Sequence, residues 1–305
     1  MAIAANIQNI EGFSAPRSLY DEQVNRHVES RTHLQTHFDP SSNTQWTSFK
    51  QDAPTKMTKD IVDDLKFIQK IIKIETKKAL ENDQKCRIHY HVLASEIPNV
   101  FNLGGDLEYL SHLIRNKDVD ALRKFSLSCV ELIYNNAVSF GLPITTISLV
   151  QGTALAGGFE AALSSNVLIA ERQSKMSLPE VMFNMFPGMG AYQLLCRRVP
   201  PSMAEKIILS GKTYTAEQMF DLGIVDILAE PGQGEDAVWS YIKRHQNQSN
   251  AEWNFRQMVN DVNPPIRLQD LEKSVEYWIE SALKLNENDL KHIEFLIRVQ
   301  RQTRH

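Results

Sequence analysis

Apolar and polar side chains follow two rhythms along this chain. Between Lys59 and Leu80, apolar residues stand at Ile61, Leu65, Ile68, Ile72 and Leu80, close to the helical period, with Pro54 and Thr55 near the start. Short continuous apolar runs at Ile88 to Ser95, Ile144 to Val150 and Val167 to Glu171 read instead as buried strands. They alternate with helical stretches at Leu107 to Asn116, Val119 to Phe140, Gly157 to Ser164 and Ser202 to Leu209. Such alternation predicts an α/β fold of βαβ-type units. No internal sequence repeat is readable.

The two ends behave differently. Residues 1 to about 50 are polar and His-rich with little periodicity, which predicts irregular structure or an edge strand. After Pro231-Gly232-Gln233-Gly234, a linker by composition, the chain reads as helical: Leu268, Leu271, Val275, Trp278, Ala282 and Leu285 recur three or four apart, as do Leu290, Ile293, Leu296 and Ile297. The expected organisation is an N-terminal segment (1–50), a core (51–230) and a C-terminal helical region (231–305).

Composition narrows the class. With 305 residues and 42% hydrophobic content the chain can bury one large core with a smaller appendage. A net charge of −4 argues against generic nucleic-acid binding. Cys86, Cys129 and Cys196 are widely spaced, without a metal or disulfide pattern, which fits a reducing compartment. No apolar run approaches the roughly 20 residues that span a bilayer, and the N-terminus lacks the basic start and apolar stretch of a signal peptide. The expected location is the cytoplasm, with no membrane insertion.

Candidate chemistry is concentrated in three glycine- or turn-marked segments. Phe101-Asn102-Leu103-Gly104-Gly105-Asp106-Leu107 follows the first strand-like run, and Gly157-Gly158-Phe159-Glu160 follows the second. Leu178-Pro179-Glu180-Val181 places a second glutamate twenty positions after Glu160, ahead of Phe186-Pro187-Gly188-Met189-Gly190-Ala191. Taken singly, each has an ordinary structural reading. A Gly-Gly-Asp turn connects strand to helix, a helix-terminal glutamate is commonly a solvated charge, and Asp106 reads as a helix cap.

In this order and at these separations the segments resemble the crotonase (enoyl-CoA hydratase/isomerase) superfamily. Ala204-Glu205-Lys206-Ile207-Ile208-Leu209-Ser210-Gly211 and Gly223-Ile224-Val225-Asp226 are similar to its later core segments. The resemblance implies a spiral of ββα units whose C-terminal helices cover the active site and build a homotrimer or a dimer of trimers. It implies Glu160 and Glu180 as catalytic carboxylates, and the amides of Leu103 and Gly157 as an oxyanion hole. No metal or redox cofactor is implied. Gly104, Gly105 and Gly158 would let the backbone approach a thioester, and Met185, Trp278 and Leu296 are candidates for lining an acyl pocket. Four methionines, Met176, Met182, Met185 and Met189, cluster around Glu180 and suit an acyl tail.

Within the superfamily the wording is similar to the diffusible signal factor synthases, as is the long N-terminal part. That likeness implies dehydration of a medium-chain 3-hydroxyacyl thioester, carried on acyl carrier protein or coenzyme A, followed by hydrolysis to a cis-2-unsaturated fatty-acid signal. It also implies a sensor-kinase receiver domain as a regulatory partner. An enoyl-CoA hydratase or isomerase of fatty-acid breakdown would use the same two glutamates. In either case two amides aimed at a developing enolate supply the main stabilisation, and the carboxylates must hold opposite protonation states. The expected roles are Glu180 as base at the α-carbon and Glu160, protonated, as the acid that releases water.

Other features carry less. His89 and His91 share a strand face but lack a third ligand. There is no Gly-x-Ser-x-Gly elbow and no dinucleotide fingerprint. The basic tail Arg298, Arg301 and Arg304 could meet phosphates or an acidic carrier protein, although solvated helix charges explain it as well.

Overall fold

A computed structural model describes residues 33–82, 88–246, 254–255, 258–259, 262 and 265–302, the last four of these as backbone alone. The described strands form two sheets. The larger contains β1 (Leu34–Asp39), β2 (Thr44–Phe49), β3 (Tyr90–Ser95), β5 (Thr145–Val150), β7 (Val167–Glu171) and β10 (Ile227–Ala229), in that spatial order. The smaller runs β4 (Val100–Asn102), β6 (Thr153–Leu155), β8 (Lys175–Ser177) and β9 (Thr213–Thr215). Apart from the β1–β2 hairpin and the β8–β9 pair, all pairings are parallel.

The chain passes from one sheet to the other and then into a helix, three times over. β3 and β4 lead to α2 (Leu107–Arg115) and α3 (Val119–Ala137). β5 and β6 lead to α4 (Gly157–Leu163). β7 and β8 lead to the 3-10 turn Glu180–Phe183, α5 (Ala191–Leu195) and α6 (Pro201–Ser210). This is the expected spiral of ββα units. Its later part adds α7 (Ala216–Asp221), α8 (Gly234–Gln246), α9 (Leu268–Ala282) and α10 (Glu287–Gln302).

Both faces of the large sheet are covered, so its parallel strands read as near-continuous apolar runs. One face packs Trp46, Tyr90, Val92, Ile147, Leu149 and Ile169 against Val238, Tyr241 and Ile242 of α8. The other buries Phe49, Leu93, Val150 and Leu168 with the Ile61, Leu65, Ile68 and Ile72 stripe of α1 (Lys59–Glu81), the stripe that the periodicity predicts. Thr58 caps this helix by accepting from the Ile61 amide at 3.3 Å.

Three expectations need correction. The described part of the 1–50 segment does supply an edge strand, β1, but it also supplies β2, which lies inside the large sheet. The sequence hid β2 because its fully buried positions include Thr44, Gln45, Thr47 and Ser48, and hydrogen bonds rather than apolar surface make this possible. Gln45 donates to the Trp46 carbonyl at 2.8 Å, and Thr47 meets His91 Nε2 at 3.1 Å. Second, α8 follows the expected linker but belongs to the core. Third, the helix expected to reach Phe140 stops at Ala137, because Ser139 and Phe140 take φ values of 52° and 61°.

α9 and α10 do build a separate apolar cluster, with Leu271, Val275, Ile279, Leu290 and Ile293 buried against Leu122 and Val130 of α3. Leu271 is fully buried and its Cδ2 lies against Gly190, which ties α9 to the loop before α5. Replacing Leu271 by Ala should cost about 2–5 kcal/mol, measured by chemical denaturation. A loss under about 1 kcal/mol would mean that α9 rests on this loop without being anchored to it.

Candidate active site

Three adjacent strands of the small sheet deliver the candidate residues. β6 ends at Leu155, and one residue later α4 begins at Gly157. That single residue, Ala156, holds φ 49° and ψ −129°, a sparsely populated conformation for a residue with a Cβ, and its amide donates to the Ser177 carbonyl at 2.9 Å. Gly157 therefore opens the helix with an amide that has no intrahelical acceptor. One turn on, Glu160 points inward.

Glu160 is 1% exposed, and its Oε1 accepts from the Met189 amide at 2.9 Å and the Ala191 amide at 3.0 Å. Glu180 is 6% exposed, and its Oε2 has no hydrogen-bond partner among the described residues. Burial pushes Glu160 up to about 7, against the two amides that favour its anion. Glu180 is raised well above the ordinary value by burial first and then by the nearby charge of Glu160. The environments thus separate the pair. Two amides from a distant loop favour the Glu160 anion, whereas only its own amide favours that of Glu180.

The glycine turns of residues 102–105 and 156–158 meet. A Cβ on Gly104, whose φ is +89°, would stand 3.1 Å from the Gly157 nitrogen, and one on Gly158 would stand 2.2 Å from the Asn102 carbonyl oxygen. No side chain fits at either contact. Gly105 bridges to Met57, and a Cβ there would meet Leu110 at 3.1 Å. Leu103 does not fit its expected role. Its amide donates to the Thr55 carbonyl at 2.7 Å, and Met57 returns a bond to the Gly104 carbonyl at 2.8 Å, so strand-like pairing already engages that donor. Asp106 is a cap: it accepts from the Tyr109 amide at 3.2 Å and from Lys56 at 2.6 Å.

Met185, Trp278 and Leu296 all join the apolar cluster of α9 and α10, Met185 buried and the other two half-buried. Trp278 lies against Gly188, beside the amides that hold Glu160. Of the four methionines, Met189 is the one at the site: its Cε would stand 2.6 Å from a Cβ on Gly157, and it packs against both main clusters. Met176 is core, and Met182 is 59% exposed. Sequence reasoning gave Met189 no role of its own, and it gave none to Asn102, Ser177 or Ala156. The Oγ of Ser177 and Nδ2 of Asn102 are buried without partners among the described residues. Glycine wording marks the turns, but nothing in it marks strain at an alanine.

Other features fall outside the site. A surface groove between α3 and α9, lined by Arg123, Lys273, Glu276 and Tyr277, contains neither glutamate. His91 is buried against Thr47 and Phe140, burial depresses it to about 4, and no metal-ligand cluster occurs among the described residues. Burial pushes the Cys129 thiol up to about 12, the charge of Glu160 adding to it, and Cys196 is half-buried. Cys86, Arg304 and the Arg301 side chain lie outside the described residues. No described helix is long and apolar enough to cross a membrane.

Two buried carboxylates thus stand beside a backbone cradle, both hung from a spiral of ββα units. The family model for enoyl-CoA hydratase/isomerase matches residues 68–294, and the chain belongs to that family. It is 29% identical over 161 residues to mitochondrial methylglutaconyl-CoA hydratase from Mus musculus, covering 53% of this chain and 48% of the relative. It is 33% identical over 130 residues to a probable enoyl-CoA hydratase from Bacillus subtilis, covering 43% and 48%. The chain spans about half the length of the curated relatives it matches. Among solved structures, enoyl-CoA hydratase from Bacillus halodurans superposes with a TM-score of 0.69 at 20% identity, over 87% of this chain and all of that one, a likeness of fold.

The raised Glu160 has a consequence for stability. A carboxyl with a raised folded-state pKa contributes fully below its unfolded value near 4.5, and that contribution is lost as pH rises through about 7. Glu160→Gln keeps an oxygen for Met189 and Ala191 but carries no charge. Its melting temperature should fall less than that of the wild type between pH 4.5 and 7 and exceed it above pH 7. Parallel melting curves for the two proteins would remove Glu160 from the titrating pair.

Proposed function

We propose that this protein catalyses proton transfer at the α- and β-carbons of a 2-enoyl or 3-hydroxyacyl thioester, with Glu160 and Glu180 sharing one exchangeable proton. The observation that carries the reading is the burial of two neighbouring carboxylates with unequal support, Glu160 held by the Met189 and Ala191 amides and Glu180 by its own amide alone, its Oε2 without a partner among the described residues. In the hydration direction, the Glu160 anion takes a proton from water as its oxygen adds to the β-carbon, and Glu180 gives its proton to the α-carbon. Dehydration runs the same steps backwards: Glu180 takes the α-proton, and Glu160 protonates the departing hydroxyl. The amide of Gly157 donates to the thioester oxygen as enolate charge develops. Met189 and Trp278 bound the space beyond it.

The finer reading is a dehydratase and thioesterase that acts on a medium-chain 3-hydroxyacyl chain, carried on acyl carrier protein, and releases a cis-2-unsaturated fatty-acid signal. The wording Phe101-Asn102-Leu103-Gly104-Gly105-Asp106-Leu107 supports it. For the hydrolytic step, water activated by a carboxylate adds to the thioester carbonyl, and the thiol leaves from the tetrahedral intermediate. The second reading, a hydratase acting on a coenzyme A thioester, is favoured by the names of the sequence relatives. On either reading the protein works in the cytoplasm, and no metal or redox cofactor takes part. Exposed Met182, Tyr192, Leu209 and Phe220 support assembly into a trimer or a dimer of trimers. A sensor-kinase receiver domain as partner rests on the subfamily likeness alone.

The deciding experiment incubates the protein with medium-chain 3-hydroxyacyl thioesters on acyl carrier protein and on coenzyme A and identifies products by mass spectrometry. Free cis-2-enoic acid is the expected product, and Glu160→Gln and Glu180→Gln should each lower its rate roughly 10²- to 10⁴-fold. A trans-2-enoyl thioester in equilibrium with its hydrate, with no free acid, selects the second reading. Turnover that survives both substitutions rejects the carboxylate pair altogether.

A further inference from the structure

We infer that Asn102 is a positioning residue for the oxyanion amide of Gly157, acting through the Gly104 turn. The inference rests on the thioester reading of the site and extends it to a residue outside the glutamate pair. Asn102 ends β4 opposite Ala154 of β6, fully buried. Its main chain lies directly on α4, since a Cβ on Gly158 would stand 2.2 Å from the Asn102 oxygen and 2.9 Å from the Asn102 Cβ. Two residues on, a Cβ on Gly104 would stand 2.7 Å from the Ala156 Cβ and 3.1 Å from the Gly157 nitrogen. Residues 102–104 therefore run along residues 156–158 in contact at both ends, and a small slip of one stretch moves the cradle around the amide that stabilises the enolate.

Two hydrogen bonds fix Gly104 in that position. Met57 donates to its carbonyl at 2.8 Å, and its own amide donates to Asn102 Oδ1 at 2.9 Å, a side-chain-closed turn of the kind Asn favours. Gly104 has no Cβ to limit its backbone, so the φ of +89° depends on such ties. The other end of the amide group reinforces the point. Nδ2 is buried without an acceptor among the described residues, an unfavourable arrangement that an aliphatic side chain of similar shape would avoid. The polar group is therefore useful here through its oxygen.

The test compares Asn102→Ala, which removes the oxygen, with Asn102→Ser, whose hydroxyl can close the same type of turn. Steady-state kinetics on a medium-chain 3-hydroxyacyl thioester are run beside hydrogen exchange of the full chain. Loosening a reacting geometry by about 1 Å costs on the order of 10²-fold. For Asn102→Ala, kcat should accordingly drop at least about tenfold while KM stays within about threefold. Asn102→Ser should recover most of that rate. Exchange in the peptide containing Leu103, Gly104 and Gly105 should quicken in the alanine variant alone, with the rest of the chain unchanged. The inference is overturned if Asn102→Ala keeps wild-type kcat, if serine is as slow as alanine, or if exchange at the turn does not respond. Equal inertness of the wild type and Glu180→Gln toward thioesters would reject the reading of the site, and the exchange experiment would still decide whether Asn102 holds the turn.

Discussion

Glu160 is buried beside a second acid, and two main-chain amides from another part of the chain hold one of its oxygens. Much of the site depends on this arrangement. A carboxylate removed from water needs donors or it takes a proton, and those available come from the Met189–Ala191 loop. That loop is positioned in turn by Trp278 against Gly188 and Leu271 against Gly190. The C-terminal helices thereby act on the charge of a residue they need not touch. The same loop lays Met189 over Gly157, so the Glu160 carboxylate and the opening amide of α4 share one mechanical support.

The division into two apolar clusters around the site follows from this layout, a third lying between the large sheet and α8. The larger one holds the sheet, α1 and α4, and the cluster of α9 and α10 is built on α3 and the 3-10 turn that begins with Glu180. Met189, Tyr109, Leu110 and Ile266 pack against both. Both glutamates are buried, Glu160 beside residues of the larger cluster and Glu180 in the turn on which the other is built.

Much of this was legible in the sequence. The α1 stripe, the apolar strands β3, β5 and β7, and the glutamates with their glycine turns could be read because burial on both faces and close backbone approach each force a residue type. What escaped has equally physical causes. The strands β4, β6, β8 and β9 are three residues long, too short for any periodicity to register. β2 is buried through hydrogen bonds, so hydropathy points the wrong way. Leu103 lies in the right turn, but its amide is engaged by Thr55, a partner almost fifty residues away in the chain. The electrostatics of Glu160 depend on its burial and on amides from Met189 and Ala191 that no local pattern announces.

The short links around the small sheet have one more consequence. Two residues separate β5 from β6, one separates β6 from α4, and two separate β8 from the 3-10 turn of Glu180. A single inserted or deleted residue in any of these links would rotate the following segment, because the chain has no slack in which to absorb it. Length itself is under constraint there, more tightly than the identity of most side chains. Variation in this protein should therefore enter by substitution at the site and by insertion only elsewhere.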